Sequence, residues 1–143
     1  MDATTMEKLR LSRQRLSMAQ QFSPQAIAPI RRIVEIHLTL WKAQGVLDRC
    51  LAILTELCSN IRHTGDERFE LTVSILDSRV RLGVRDYSTV LPVVPGKMPP
   101  FEAVSGRGLY VVTSYADQFG MDRLSDGKVI WAEMASGAAS NTA

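Results

Sequence analysis

The 143-residue chain lacks most of what marks a specialised class of protein. It has two cysteines, Cys50 and Cys58, which excludes a disulfide scaffold. If both lie on one helix, their Cα atoms stand about 12 Å apart at 1.5 Å rise per residue, beyond the roughly 7 Å a bridge tolerates. Both read as reduced, buried, small apolar side chains, which suits a cytoplasmic location. No apolar run approaches the roughly 18 residues of a membrane span, and MDATTMEKLRLS has no apolar core for a secretory signal. The net charge of +2 gives no electrostatic footprint for nucleic acid. The densest basic stretch, Lys8 to Arg15, reads as a solvated arm. There is no internal repeat. What remains is an ordinary globular composition, 45% hydrophobic and 22% charged, at a length that suits one domain with its own core.

Residues 1–12 are expected to be mobile and 136–143, small and polar, to be disordered. Residues 13–22 suit a strand with Leu16, Met18 and Gln20 on one face. Ser23-Pro24 resembles a helix start, but Pro29 interrupts it, so the continuous helix is expected from about Pro29. Ile30, Ile33, Val34, Leu38 and Trp41 recur at helical spacing, and Gly45 is expected to end the segment. A second helix is expected over 46–63, closed by Gly65, with Leu47, Leu51, Leu54, Cys58 and Ile61 as one apolar stripe. Phe69, Leu71, Val73 and Ile75 alternate, Asp77-Ser78 turns, and Val80, Leu82 and Val84 alternate again, which predicts a hairpin covered on one face. Residues 87–105 carry Pro92, Pro95, Pro99 and Pro100 without any period, the mark of a functional lid or a disordered segment. A third helix is expected from the SGRGL stretch through Leu109, Val112, Tyr115, Ala116 and Phe119, stopping at Gly120. MDRLSDGKVIWAEM predicts a last hairpin turning at Asp126-Gly127.

Three features stand out from this frame. Glu56, Asn60 and His63 fall together on the side of the second helix away from its apolar stripe. An Asn oxygen is a suitable hard ligand for Mg²⁺, and a neighbouring Glu can take a proton from water or a hydroxyl. Asp86 shares the parity of Val80, Leu82 and Val84, so it is aimed at the buried side where the strand ends. An acceptor in such a place selects an exocyclic amine such as adenine's, because a keto base loses the buried bond. Gly106-Arg107-Gly108, followed by Leu109, opens a helix, where glycine lets backbone approach a phosphate. Taken singly, each has an ordinary reading: a solvated helix face, a carboxylate capping a turn, a loop-to-helix turn.

Their order resembles that of the GHKL ATPase and kinase superfamily. ELCSNIRH resembles its N-box, RDYS stands at its first glycine box, and SGRGLYVVTSYADQFG resembles its second. GKVIWAEM resembles the closing strand of the small anti-sigma-factor serine kinases, and the likeness covers about residues 13–135. The resemblance implies an α+β fold, a two-layer α/β sandwich of the Bergerat type with a mixed, mainly antiparallel sheet and helices on one face. It implies ATP and Mg²⁺ as cofactors. It makes Glu56 the catalytic base and Asn60 the metal ligand, with Asp86 the adenine reader. It places Gly106, Arg107, Gly108 and Leu109 at the phosphates, with His63 nearby. The implied partners are an anti-sigma-factor antagonist phosphorylated on serine and a sigma factor held inactive, with pairing of two copies through the first strand. No glycine follows Asp86 in DYSTV, and Val129 stands where the family often has a threonine. These departures favour the alternative: a non-catalytic nucleotide-binding or partner-sequestering module of the same fold.

Overall fold

The computed structural model describes residues 13–63, 67–91 and 107–136, without the side chains of Arg13, Arg62, His63 and Arg107. In chain order these residues form β1 (Arg13–Gln21), a 3-10 turn (Pro24–Ala26), α1 (Ile27–Leu40), a 3-10 turn (Gln44–Val46) and α2 (Leu47–Ser59). A 3-10 turn (Asn60–His63), β2 (Arg68–Leu76), β3 (Arg79–Asp86), α3 (Arg107–Tyr115), β4 (Gln118–Leu124) and β5 (Gly127–Ala135) follow. The sheet runs β1-β2-β3-β5-β4. Every pairing in it is antiparallel, the far end of the mainly antiparallel range expected. The helices pack on its inner face, completing the two-layer α+β sandwich.

Period-two alternation decides the layers. Phe69, Leu71 and Val73 of β2, Val80, Leu82 and Val84 of β3, and Ile130, Ala132 and Met134 of β5 are buried on one face. Leu16 and Met18 of β1 stand opposite Val73 and Leu71 and pack on the same core. The β2–β3 turn is the expected Asp77-Ser78, with φ of 51° and 66°, the left-handed pair that a tight two-residue hairpin demands. The other face carries polar side chains, among them Arg81, which ion-pairs with Glu133 at 2.8 Å and stacks 4.1 Å above the Trp131 ring.

Several boundaries differ from those the sequence predicts. α1 begins at Ile27, before Pro29; that proline falls in the first turn, where its missing N–H costs nothing. Its end is set at Lys42, whose φ is 59°, and not at Gly45. Lys42 N donates to Thr39 O at 3.1 Å and Ala43 N to Leu38 O at 2.8 Å, the paired bonds of a Schellman cap. In α2 the buried set is Cys50, Ile53, Leu54, Leu57 and Cys58, with Leu47 and Leu51 only half-buried. The helix is wedged among α1, α3 and the sheet, so burial spreads past a single stripe. Its last turn tightens into a 3-10 turn over Asn60–His63. α3 stops at Tyr115, and Phe119 and Gly120 belong to β4. Phe119 and Met121 alternate into the core, so apolar residues read at helical spacing serve a strand instead. Ser136, the first residue expected in a free tail, is buried and its N–H donates to Ser78 O at 2.7 Å. Gly65 and most of the 87–105 segment lie outside the described residues.

Candidate functional site

α2 presents Glu56 toward the first turn of α3. A Cβ built on Gly108 would lie 2.5 Å from Glu56 Oε2, 3.5 Å from its Cδ and 3.6 Å from its Cβ. The carboxylate therefore rests directly on the glycine, in the place that any other residue's side chain would take. This is also the N-terminal end of α3, where peptide dipoles favour negative charge. One turn on, Asn60 caps α2, and its backbone N–H bonds to Glu56 O. Its side-chain Nδ2 is buried and has no hydrogen-bond partner among the described residues. A buried amide left unpaired costs about 1–3 kcal/mol, so a group that gives it a partner gains accordingly. Glu56 and Gly108 thus come together, with Asn60 one turn further along the chain. His63 lies in the 3-10 turn beyond them, its side chain outside the described residues. Arg107 starts α3, with its side chain likewise outside them, as is Gly106 entirely. Leu109 turns into the core at 3% exposure, so only its backbone is available to a ligand.

Asp86 ends β3 facing inward, as its parity requires, and is 3% exposed. It is not alone. Lys128, opposite it in the β3–β5 register and equally buried, places Nζ 2.9 Å from Oδ2 and 3.0 Å from Oδ1. The Ser88 backbone N–H also donates to Oδ1 at 3.0 Å, and Lys128 Nζ lies 3.4 Å from Ser88 O. Both partners of this pair are desolvated, which is tolerated only when charges and hydrogen bonds are matched. The hairpin around it is tightly held. A Cβ on Gly127 would sit 2.0 Å from Asp86 O, so only glycine fits there. Arg85 clamps the turn from outside, donating to Asp86 O at 2.9 Å and to Asp126 Oδ1 at 2.6 Å.

Lys128 was not among the residues the sequence nominates. The signal was present: it shares parity with Ile130, Ala132 and Met134, so it must point inward, and an inward lysine needs a carboxylate. Val129, by contrast, faces the outer side and stands opposite Arg85. Among the described residues no cluster of three or more His, Cys, Asp or Glu could hold a metal, and no helix is long and apolar enough to cross a membrane.

The fit to a magnesium nucleotide differs at the two ends. At the α2–α3 end the unpaired donor Asn60 Nδ2 and the side-chain-free Gly108 suit phosphate oxygens, and a cation would take Asn60 Oδ1. At the base end, the acceptor that would read a purine amine already holds an internal ammonium.

The architecture defines the class first: a two-layer sandwich with an antiparallel five-stranded sheet in the order β1-β2-β3-β5-β4. Solved proteins share it. The crystal structure of the RsbU and RsbW domains of Rv1364c from Mycobacterium tuberculosis matches with a TM-score of 0.62 at 11% identity. That match covers 84% of this chain and 32% of the other. The crystal structure of the SiaB–SiaC complex from Pseudomonas aeruginosa also gives a TM-score of 0.62, at 12% identity. It covers 94% of this chain and 99% of the matched one. No protein-family model and no curated protein matches the chain. At these identities the likeness is one of fold.

Proposed function

We propose that the chain is a regulatory protein of the partner-switching kind: an ATP-dependent serine kinase that phosphorylates a small anti-sigma-factor antagonist and otherwise sequesters a sigma factor. The observation that carries this reading is the meeting of Glu56 with Gly108, one turn from the unpartnered amide of Asn60. In that place Glu56 takes the proton of a substrate serine hydroxyl, Asn60 offers its unpaired Nδ2 to a phosphate oxygen and holds the cation through Oδ1, and the bare backbone at Gly108 lies against phosphate oxygens. When bound, Mg-ATP supplies the phosphoryl group and the cation that offsets its charge. A protein partner is supported by analogy with one neighbour, which was solved as the SiaB–SiaC complex.

The test is incubation with labelled ATP and candidate antagonist proteins. Wild type is expected to label serine, and Glu56→Ala to do so about 10²–10⁴-fold more slowly, the usual contribution of a general base. Equal rates would remove Glu56 from the chemistry. A second reading, partner sequestration without turnover, is favoured by the Asp86–Lys128 pair. On that reading the partner complex forms at the same affinity with and without Mg-ATP, and no label is transferred.

A further inference from the structure

We infer that Lys128 is a specificity-determining residue: its ammonium holds the acceptor position on Asp86 that a purine amine would use, and so weakens adenine nucleotides and removes their advantage over guanine nucleotides. The inference rests on the nucleotide reading above.

Three observations carry it. The first is the completeness of the contact. Lys128 Nζ reaches both carboxylate oxygens, at 2.9 and 3.0 Å, and the Ser88 N–H takes a further position on Oδ1. An incoming amine meets an acceptor whose best directions are filled and whose charge is neutralised. The second is rigidity. Lys128 follows Gly127, which is pressed against Asp86 O, and the Arg85 clamp on Asp126 holds the turn that carries both. The ammonium is therefore tethered at high effective concentration and pre-ordered, an advantage that a free ligand lacks. The third is depth. Each partner is 3% exposed, so water does not compete for the ammonium or the carboxylate where they stand. With the lysine gone, Asp86 keeps, among the described residues, the Ser88 N–H as its donor, and is left short of partners. A purine amine then supplies what the ammonium supplied.

The experiment is calorimetry with Mg-ATP and Mg-GTP on wild type, Lys128→Met and Lys128→Gln, with Asn60→Ala as a control for the metal end. Expected is weak, similar binding of both nucleotides by wild type, and a gain of roughly tenfold or more for Mg-ATP alone in Lys128→Met. Lys128→Gln, which keeps a neutral donor, should fall between. If Lys128→Met does not fold, Lys128→Gln must show the gain by itself. Wild type binding Mg-ATP as tightly as the variants, with loss in Asn60→Ala, overturns the inference and leaves the nucleotide reading standing. Folded variants and wild type that all fail to bind either nucleotide overturn both. A gain in affinity equal for the two nucleotides also overturns the specificity role.

Discussion

At Gly108 the cost of a methyl group falls on chemistry more than on folding. The nearest atom to an added Cβ is the far end of Glu56, a side chain free to swing away, while the rest of that side chain stands 3.5 Å off or more. Alanine is also the better helix former by about 1 kcal/mol. Gly108→Ala should therefore leave urea stability within about 1 kcal/mol of wild type. If the chain is the kinase proposed above, the same change should nevertheless cut phosphoryl transfer sharply, because the carboxylate is moved from its seat; a fully active variant would show that this seat is irrelevant. The Asp86–Lys128 pair behaves in the opposite way. Removing one charge strands the other, so Asp86→Leu should cost about 3–5 kcal/mol in urea denaturation. Asp86→Leu combined with Lys128→Met replaces both charges by apolar groups of similar size and should recover most of that loss. A double variant as unstable as the single one would mean that the hairpin, not the charge pair, sets the cost.

α2 carries the candidate site residue Glu56 on one side and two buried thiols on the other. Burial alone pushes Cys50 and Cys58 from 9.0 up to about 12. The folded state thus keeps both protonated where the unfolded chain has ionised them. Their contribution to stability is complete below about pH 9 and is lost as pH rises from there toward 12, at up to about 1.4 kcal/mol per pH unit per thiol. Urea midpoints measured from pH ~8 to ~10.5 should fall more steeply for wild type than for Cys50→Ala/Cys58→Ala, with equal slopes counting against the assignment. The same helix shows what a sequence makes legible. The parity of Asp86 is local, and its carboxylate is buried as that parity requires, while Glu56 and Asn60 stand one turn apart with Asn60 N bonded to Glu56 O. The parts that were not legible are set by neighbours. Ile53 and Leu57 are buried because α1 and α3 flank α2. Phe119 is in a strand because Asp117 N already bonds to Glu133 O, and that bond starts the β4–β5 ladder. Lys42 closes α1 by adopting a conformation that glycine would be expected to supply. Lys128 is a different case: a charged residue beside a turn reads as surface, although its parity with Ile130, Ala132 and Met134 aims it inward.

On the scale of the whole molecule, the sheet has two edges, β1 and β4, and β1 shields the strand that most resembles an aggregation template. β2 alternates Phe69, Leu71, Val73 and Ile75 over nine residues, and β1 pairs with it along its full length from Arg13–Leu76 to Gln21–Arg68. β1 also lays Leu16 and Met18 over the inner face, and the chain then re-enters the core at Phe22, whose N–H donates to Glu67 O at 2.7 Å. A chain that starts at Phe22 retains α1, α2 and the rest of the sheet. It exposes a row of unpaired N–H and C=O groups on β2 and uncovers part of the core. It should melt well below the full chain and associate into larger species, read by light scattering after size exclusion. A monomer with a melting temperature within about 2 °C of the full chain would mean that β1 neither seals the core nor guards the edge. If two copies pair through β1, as the resemblance implies, the truncated chain must also lose that dimer. The scattering profile then separates specific pairing, which disappears, from edge-driven association, which grows with concentration.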